Sequence, residues 1–136
     1  MSPILIVDDD AAIRDTLQTL LQEHHLAATT CATGGQALDL LRAATQPYIV
    51  LLDIRMPGLS GWQVLAAVAA EPESYQRHAY LLMTAMTAVA IAPKQMALIT
   101  QTHAVILAKP FDLQVLLAEV AEAEHRVRIA AVQPSP

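Results

Sequence analysis

The sequence is poor in positive charge, which excludes one broad class of function. Of its 136 residues only 8 are Lys or Arg, against 13 Asp or Glu, and the net charge is −5. The basic residues form no cluster that could neutralise nucleic-acid phosphates. We therefore predict that the chain does not bind nucleic acid.

Long apolar runs and cysteines are also scarce. No apolar stretch reaches the roughly 18 residues of a membrane-spanning helix, and the N-terminus lacks the basic region of a signal peptide. We therefore expect no membrane association and a cytoplasmic location. The single cysteine, Cys31, excludes an internal disulfide and fits a reducing compartment.

What the sequence does contain is a regular alternation of short apolar runs and amphipathic stretches. The runs predict strands over 4–7, 26–31, 48–52, 79–83 and 104–107, and the stretches predict helices over 11–23, 36–44, 61–70, 87–100 and 112–128. The stretch 71–77 reads as a polar linker. Pro93 lies inside the fourth helical pattern, so that helix either begins near Pro93 or is broken there.

Five strand–helix alternations predict an α/β fold. We expect a doubly wound, flavodoxin-like (βα)5 three-layer sandwich with a parallel five-stranded sheet of order 2-1-3-4-5. At 54% hydrophobic residues, the chain can build one core. We predict one domain over 1–128 with an extended last helix, followed by a C-terminal tail over 129–136.

Chemically useful side chains follow four of the five predicted strands. Asp8 and Asp9 follow the first strand, Asp53 the third, Thr84 the fourth and Lys109 the fifth. In the predicted strand order the first and third strands are neighbours at the switch point, where such sheets bind ligands. We therefore expect the three carboxylates to meet in one crevice, flanked by the threonine and the lysine.

Three carboxylates in one crevice repel each other, which predicts a bound cation. All-oxygen ligands suit Mg²⁺ or Mn²⁺. A cation and the Lys109 ammonium beside Asp53 would suit a phosphoryl group, with Asp53 as nucleophile and Thr84 as a hydroxyl donor. Each residue alone has an ordinary explanation as a helix cap or turn, but five at matching strand ends favour the phosphoryl site.

The residues stand in motifs that resemble the receiver domain of two-component response regulators, the CheY-like family. The resemblance covers about residues 3 to 125. The motifs are Ile4-Leu-Ile-Val-Asp8-Asp9, Leu51-Leu-Asp53-Ile-Arg-Met-Pro57-Gly-Leu-Ser-Gly61, Leu82-Met-Thr84-Ala85 and Ala108-Lys109-Pro110-Phe111.

The resemblance implies a phosphorylation switch. Asp53 would be the phosphoacceptor, and Mg²⁺ would be held by Asp8, Asp9, Asp53 and the backbone carbonyl of Arg55. The donor would be a sensor histidine kinase or a histidine phosphotransfer protein, and an unknown downstream protein would read the result. The chain would assist its own phosphoryl transfer and dephosphorylation without being an enzyme. The side chain of Arg55 would tune how fast water removes the phosphate.

The remaining roles implied by the resemblance lie at the ends of the last two strands. Thr84, Ala85 and Lys109 would bind the phosphoryl group and respond to it. The Lys109–Pro110 bond would be cis, which costs little before proline. Met86, two residues after the threonine, would also tune dephosphorylation.

Three departures from the family pattern leave a second hypothesis open. Family members carry Tyr, Phe or His at the position of Ile106, and an aliphatic side chain cannot supply their ring rotation. The usual Gly-Ala before the fifth strand is His103-Ala104 here, and the spacing from Thr84 to Lys109 is slightly long. The alternative is a degenerate receiver that acts as a phosphorylation-independent docking or dimerisation module.

Other readings have less support. An aspartyl-phosphate phosphatase needs a second Asp two residues after the nucleophile, where this chain has Arg55. A nucleotide-binding Rossmann domain needs a Gly-rich loop after the first strand, where this chain has three aspartates. The apolar residues Val127, Ile129 and Val132 in the last helix leave a homodimer open.

Overall fold

The computed structural model describes residues 1–85 and 91–132, without the side chains of 131 and 132. It contains a five-stranded parallel sheet in the order β2-β1-β3-β4-β5, which confirms the predicted fold class. In chain order the elements are β1 (Ile4–Val7), α1 (Ala11–Glu23), β2 (Ala28–Cys31), α2 (Gly34–Ala43), β3 (Ile49–Asp53), α3 (Gly61–Ala70), α4 (Pro72–Tyr75), β4 (Ala79–Thr84), α5 (Pro93–Thr102), β5 (Val105–Ala108) and α6 (Leu113–Val132).

The sheet is buried on both faces because its central strands are continuous apolar runs. Successive side chains point to opposite faces of a strand, so Leu5 and Val7 pack with α2, α3 and α5, while Ile4 and Ile6 pack with α1 and α6. The protein is therefore the predicted three-layer sandwich. We call the edge at which the parallel strands end the carboxyl edge, and the edge at which they begin the amino edge.

The second strand begins two residues later than predicted. His25 adopts a left-handed backbone with φ of 62°, and the Leu26 amide N–H donates to the carbonyl oxygen of Leu21 at 3.0 Å. These contacts close the C-terminus of α1 in a Schellman-type turn. Leu26 is consequently part of the helix cap, and β2 starts at Ala28.

Three larger differences from the sequence prediction concern helices, and the other described element ends agree with it within two residues. The stretch predicted as a polar linker contains the short helix α4, which has Pro72 in its first turn. Helix α5 begins at Pro93, as one of the two alternatives predicted; the predicted helical residues 87–90 lie outside the described part of the chain. Helix α6 continues to Val132, so the predicted tail boundary at 129 falls inside a helix.

None of the helices in the described ranges combines the length and apolar character needed to span a lipid bilayer.

Candidate functional site

Three carboxylates meet at the carboxyl edge of the sheet. Asp8, Asp9 and Asp53 each offer one oxygen atom, and these atoms lie within 4.8 Å of one another. Strands β1 and β3 are hydrogen-bonded neighbours with Val7 opposite Leu52. The residues that follow these two positions are therefore brought together, as the sequence predicted.

Asp8 is the most constrained member of this acidic cluster. The side chain is buried, with 1% exposure, and its Oδ1 atom accepts the Asp10 amide N–H at 2.9 Å. Its Oδ2 atom is buried with no hydrogen-bond partner among the described residues. Burial raises the pKa of Asp8, and the neighbouring charges of Asp53 and Asp9 act in the same direction, against the lowering effects of the Asp10 amide and Lys109.

The acidic cluster fits a divalent cation. A buried carboxylate oxygen without a donor, on a residue that clusters with two other carboxylates, is unfavourable unless a cation or proton joins it. Oxygen ligands of this kind are those preferred by Mg²⁺, which usually keeps several waters in its coordination shell. The described residues thus supply a ligand set for such an ion.

Lys109 reaches the acidic cluster from the last strand. Its Nζ atom lies 3.5 Å from Oδ1 of Asp53; the Asp53 side chain is buried and that of Lys109 is half-buried. The Lys109 amide N–H donates to the carbonyl oxygen of Thr84 at 2.7 Å, which fixes the ends of β4 and β5 to each other. The Lys109–Pro110 peptide bond is cis, as the sequence resemblance implied.

A pocket of about 160 Å³ opens beside Asp53. Its lining includes Thr84, which is buried, and Ala85 and Arg55, which are exposed at the mouth. The pocket brings together the predicted acceptor, the predicted threonine and Lys109. Met86, the second residue predicted to tune dephosphorylation, lies outside the described residues.

The loop after Asp53 is held tightly against the start of α3. A Cβ atom on Gly61 would lie 2.7 Å from the carbonyl oxygen of Asp53 and 2.7 Å from Cα of Ile54, so only glycine fits there. Ser60 caps α3 by accepting the Gln63 amide N–H at 3.3 Å, and the Gln63 side chain accepts the Ser60 amide N–H. Gly58 takes a left-handed backbone with φ of 75°.

Arg14 supports the acidic cluster, a role that the sequence analysis did not predict. Its Nη1 atom donates to the backbone carbonyl of Asp8 at 2.7 Å, so the guanidinium of α1 supports the strand end that carries the acidic pair. A basic side chain one turn after the helix cap Asp10 was the available signal.

Ile106 lies on β5, beside the site rather than in it. It is half-buried and stands opposite Leu82 in the sheet register. It packs with the core cluster that also contains Leu98 and Ile99 of α5. This position therefore contributes aliphatic packing beneath α5.

Comparison with known proteins places these features in a family. The model of the response regulator receiver domain matches residues 4–121. The chain is 33% identical to sporulation initiation phosphotransferase F of Bacillus subtilis over 110 residues, which is 81% of this chain and 83% of that protein. It is 36% identical to the DNA-binding transcriptional regulator NtrC of Klebsiella pneumoniae over 118 residues, 87% of this chain but 24% of that protein. The chain thus spans about a quarter of the length of the NtrC proteins that it matches.

Solved structures give the same result. A CheY-like response regulator receiver domain protein of Methanospirillum hungatei has 31% sequence identity and a TM-score of 0.79, with 93% of this chain and 97% of that chain covered. The response regulator TrrA of Thermotoga maritima, solved in complex with Mg²⁺ and BeF, has 27% identity and a TM-score of 0.72, with 90% and 99% covered.

Proposed function

The chain belongs to the response regulator receiver domain family of two-component signalling, and from this premise we propose that it is a phosphorylation-dependent switch in which Asp53 accepts a phosphoryl group in a Mg²⁺-dependent reaction. The observation that carries the proposal is the acidic cluster with Lys109 beside Asp53. As a receiver domain the chain is a signalling module rather than a classical enzyme.

The described side chains suit phosphoryl transfer to a carboxylate. An oxygen of Asp53 attacks phosphorus while the bond from phosphorus to the donor histidine nitrogen breaks. Lys109 Nζ binds a phosphoryl oxygen, and the Thr84 hydroxyl donates to another. Asp8, Asp9, Asp53 and the Arg55 carbonyl would hold the divalent ion, whose positive charge would stabilise the charge on the phosphoryl oxygens.

Phosphorylation would change the partners of Lys109 and Thr84. Lys109 now lies 3.5 Å from an Asp53 oxygen, and this contact would pass to the phosphoryl group. Since Lys109 and Thr84 are also joined through the backbone, both strand ends would respond together. A local change of charge would thus select between two packings of this edge, which a downstream protein reads.

The proposed partners are a sensor histidine kinase or a histidine phosphotransfer protein as donor, and a downstream protein as target. A cytoplasmic location fits the lone cysteine of the chain. A homodimer through α6 stays a prediction. Of the three apolar residues that suggested it, Val127 is buried within the protein and Ile129 is 42% exposed.

The direct test is phosphorylation of the whole chain by a small-molecule phosphodonor such as acetyl phosphate. We expect a mass gain of one phosphoryl group in the presence of Mg²⁺ and none in its absence. Asp53→Asn should abolish the gain. Asp39→Asn, which removes an exposed carboxylate from α2, is the matched control and should keep it.

A second measurement follows the fluorescence of Trp62, which lies in the first turn of α3 and packs on the core. Mg²⁺ with beryllofluoride should change the signal in the parent and the Asp39→Asn variant, and should not change it in Asp53→Asn. A folded parent that responds to neither the phosphodonor nor beryllofluoride would refute the switch and favour the phosphorylation-independent docking module.

A further inference from the structure

A second cavity lies at the amino edge of the sheet, on the opposite side of the molecule from Asp53. Its volume is about 200 Å³, far above the about 10–15 Å³ that one water needs. Three parts of the fold build it: the segment entering β4, the C-terminal end of α5, and the late turns of α6. The lining residues with polar side chains are Gln76, Arg77, His78, Thr102, His103 and Arg126.

The cavity is basic although the chain as a whole is acidic. Two of the eight Lys and Arg residues, Arg77 and Arg126, line it, and none of the described residues that line it is Asp or Glu. Within the described part of the chain, neither arginine has a carboxylate within ion-pairing distance. Positive charge is therefore gathered there without an internal counter-ion.

Arg126 supplies the observation that points to a ligand. Its Nη2 atom is buried and has no hydrogen-bond partner among the described residues. A guanidinium N–H that has lost water and gained no acceptor is unfavourable. Since other atoms of Arg126 line the cavity, a small rotation of this side chain would bring the N–H to an acceptor bound there. Arg77 is held in place by donating through Nη2 to the backbone carbonyl of Ala44.

The histidines have different positions in the cavity. His78 is buried and uses both ring nitrogens: Nδ1 accepts the Tyr48 amide N–H at 2.9 Å, and Nε2 donates to the carbonyl of Leu41 at 3.0 Å. Burial lowers its pKa to about 4, so at neutral pH the fixed positive charge comes from the arginines. His103 ends α5 with a left-handed backbone, φ 56°, and is exposed at the rim.

We propose that this cavity binds a small oxyanion, the phosphate or carboxylate head of a small molecule, with Arg126 and Arg77 as its cationic ligands. Guanidinium groups match the oxygen geometry of both classes, and Thr102 and Gln76 add hydrogen-bonding side chains. The apolar side chains of Val127 and Ala130 complete the lining and would contact the rest of the molecule. The site is separate from the phosphoacceptor and needs no divalent ion.

The test is a titration of the isotopically labelled full chain, followed by NMR, after metal has been removed on a chelating resin so that the carboxyl edge holds none and no soluble chelator competes. Inorganic phosphate, glycerol phosphate and succinate are compared with sodium chloride at matched ionic strength. We expect saturable shifts of the Ala79, Thr102 and His103 amides, with a midpoint on the order of 1 mM. A response to both phosphates and succinate assigns oxyanions in general, and a response to phosphates alone assigns the phosphate class.

Two variants with matched controls make the proposal specific. Arg126→Gln should weaken binding about tenfold or more, while Lys94→Gln, which removes one exposed charge from the far end of α5, should not change it. His103→Gly keeps the left-handed backbone and removes the ring from the rim, so it should fold and bind more weakly. His25→Gly makes the same exchange at the end of α1, away from the cavity, and should bind as the parent does.

The proposal fails if chloride produces the same shifts as the oxyanions, or if the shifts grow linearly without saturation. It also fails if Arg126→Gln and His103→Gly, both folded by their amide spectra, bind as tightly as their controls. If Arg126→Gln does not fold, the comparison of His103→Gly with His25→Gly decides.

Discussion

The carboxyl edge and the amino edge of the sheet both gather polar side chains, but with opposite charge and by different routes. At the carboxyl edge, Asp8 and Asp9 directly follow β1, and Asp53 ends the neighbouring strand β3. At the amino edge, the arginines come from the entry to β4 and from the last helix. The difference shows that the sheet topology alone positions the residues at the carboxyl edge. The positions of residues at the amino edge depend instead on where the helices end.

Buried polar side chains at the two edges also differ in their hydrogen bonding. Asp8 at the carboxyl edge keeps one buried oxygen without a partner, whereas His78 near the amino edge has both ring nitrogens bonded. The first arrangement is suited to binding an ion, and the second to holding elements together. Four predictions test this contrast, in order of decreasing effect on stability.

The largest effect should come from Gly61→Ala at the carboxyl edge. The added Cβ would lie 2.7 Å from the Asp53 carbonyl oxygen and from Ile54 Cα, and backbone atoms cannot move aside cheaply. We expect a loss of about 2–3 kcal/mol in the free energy of unfolding, measured in urea. Gly35→Ala is the control: its Cβ meets nothing within 4 Å in a helix, so it should stabilise by about 0.5–1 kcal/mol. Equal changes in the two variants would contradict the tight contact at Gly61.

The second effect concerns His78 and pH. Burial lowers its pKa to about 4 in the folded chain, against 6.5 ordinarily. Between these values the unfolded chain binds a proton that the folded chain does not, so the contribution of His78 to stability is complete above pH 6.5 and falls as pH drops towards 4. The loss should be on the order of 2 kcal/mol.

The measurement compares the parent with His78→Gln at pH 7 and pH 4.5. The variant should be less stable at pH 7, and the difference should shrink as the pH falls, because only the parent has a buried imidazole to protonate. Effects of carboxylates cancel in this difference. The exposed His125→Gln serves as the control, and a pH-independent gap for His78→Gln would refute the assignment.

The third prediction compares the stability contributions of two carboxylates, Glu124 at the amino edge and Asp9 at the carboxyl edge. Glu124 is buried near the start of β1 and accepts hydrogen bonds from the Ser2 amide and the Arg128 guanidinium, each at 3.1 Å. Burial alone would raise its pKa, but these contacts hold it below the ordinary value. Glu124→Gln should therefore cost about 1 kcal/mol in unfolding free energy.

At the carboxyl edge the same kind of exchange should have the opposite sign. Asp9→Asn removes a charge that repels Asp8 and Asp53, so in EDTA it should raise the unfolding free energy. Destabilisation by Asp9→Asn without metal would show that the acidic cluster is not under repulsion.

The smallest effect on stability should be that of Arg55→Ala. The side chain is exposed at the mouth of the pocket beside Asp53, so the unfolding free energy should change by less than about 0.5 kcal/mol. On the proposed function, the lifetime of the phosphorylated chain should nevertheless change several-fold, measured by the decay of the phosphorylated mass. Identical lifetimes in variant and parent would show that Arg55 does not tune dephosphorylation.

The sequence was sufficient for the sheet and for the carboxyl edge because both depend on short-range signals. A buried parallel strand is a continuous apolar run, and the residue after it must lie at the same edge as its counterparts. Asp8, Asp53 and Lys109 were placed correctly for this reason, although their roles in phosphoryl transfer stay proposals.

The amino edge was not predicted because its residues share no local pattern. Arg77, His103 and Arg126 are brought together by helix lengths and packing angles, which hydrophobic periodicity does not specify. Helix α4 was read as a linker because four residues are too few to show a helical period. The His103-Ala104 departure has a physical explanation only in the structure: the position requires a left-handed backbone, which glycine adopts most easily and which histidine here adopts at some cost.

The ligands of the acidic cluster are far apart in the chain, and this has a consequence for the lifetime of the protein. Asp8 and Asp9 follow β1 and Asp53 ends β3, with α1, β2 and α2 between them in the chain, so an unfolded chain does not hold them together around a single ion. A divalent cation would then bind only the native state and add its binding free energy to that of folding. The free concentration of that ion in the cell would set how often the chain unfolds and becomes open to proteolysis, independently of any signal that it carries.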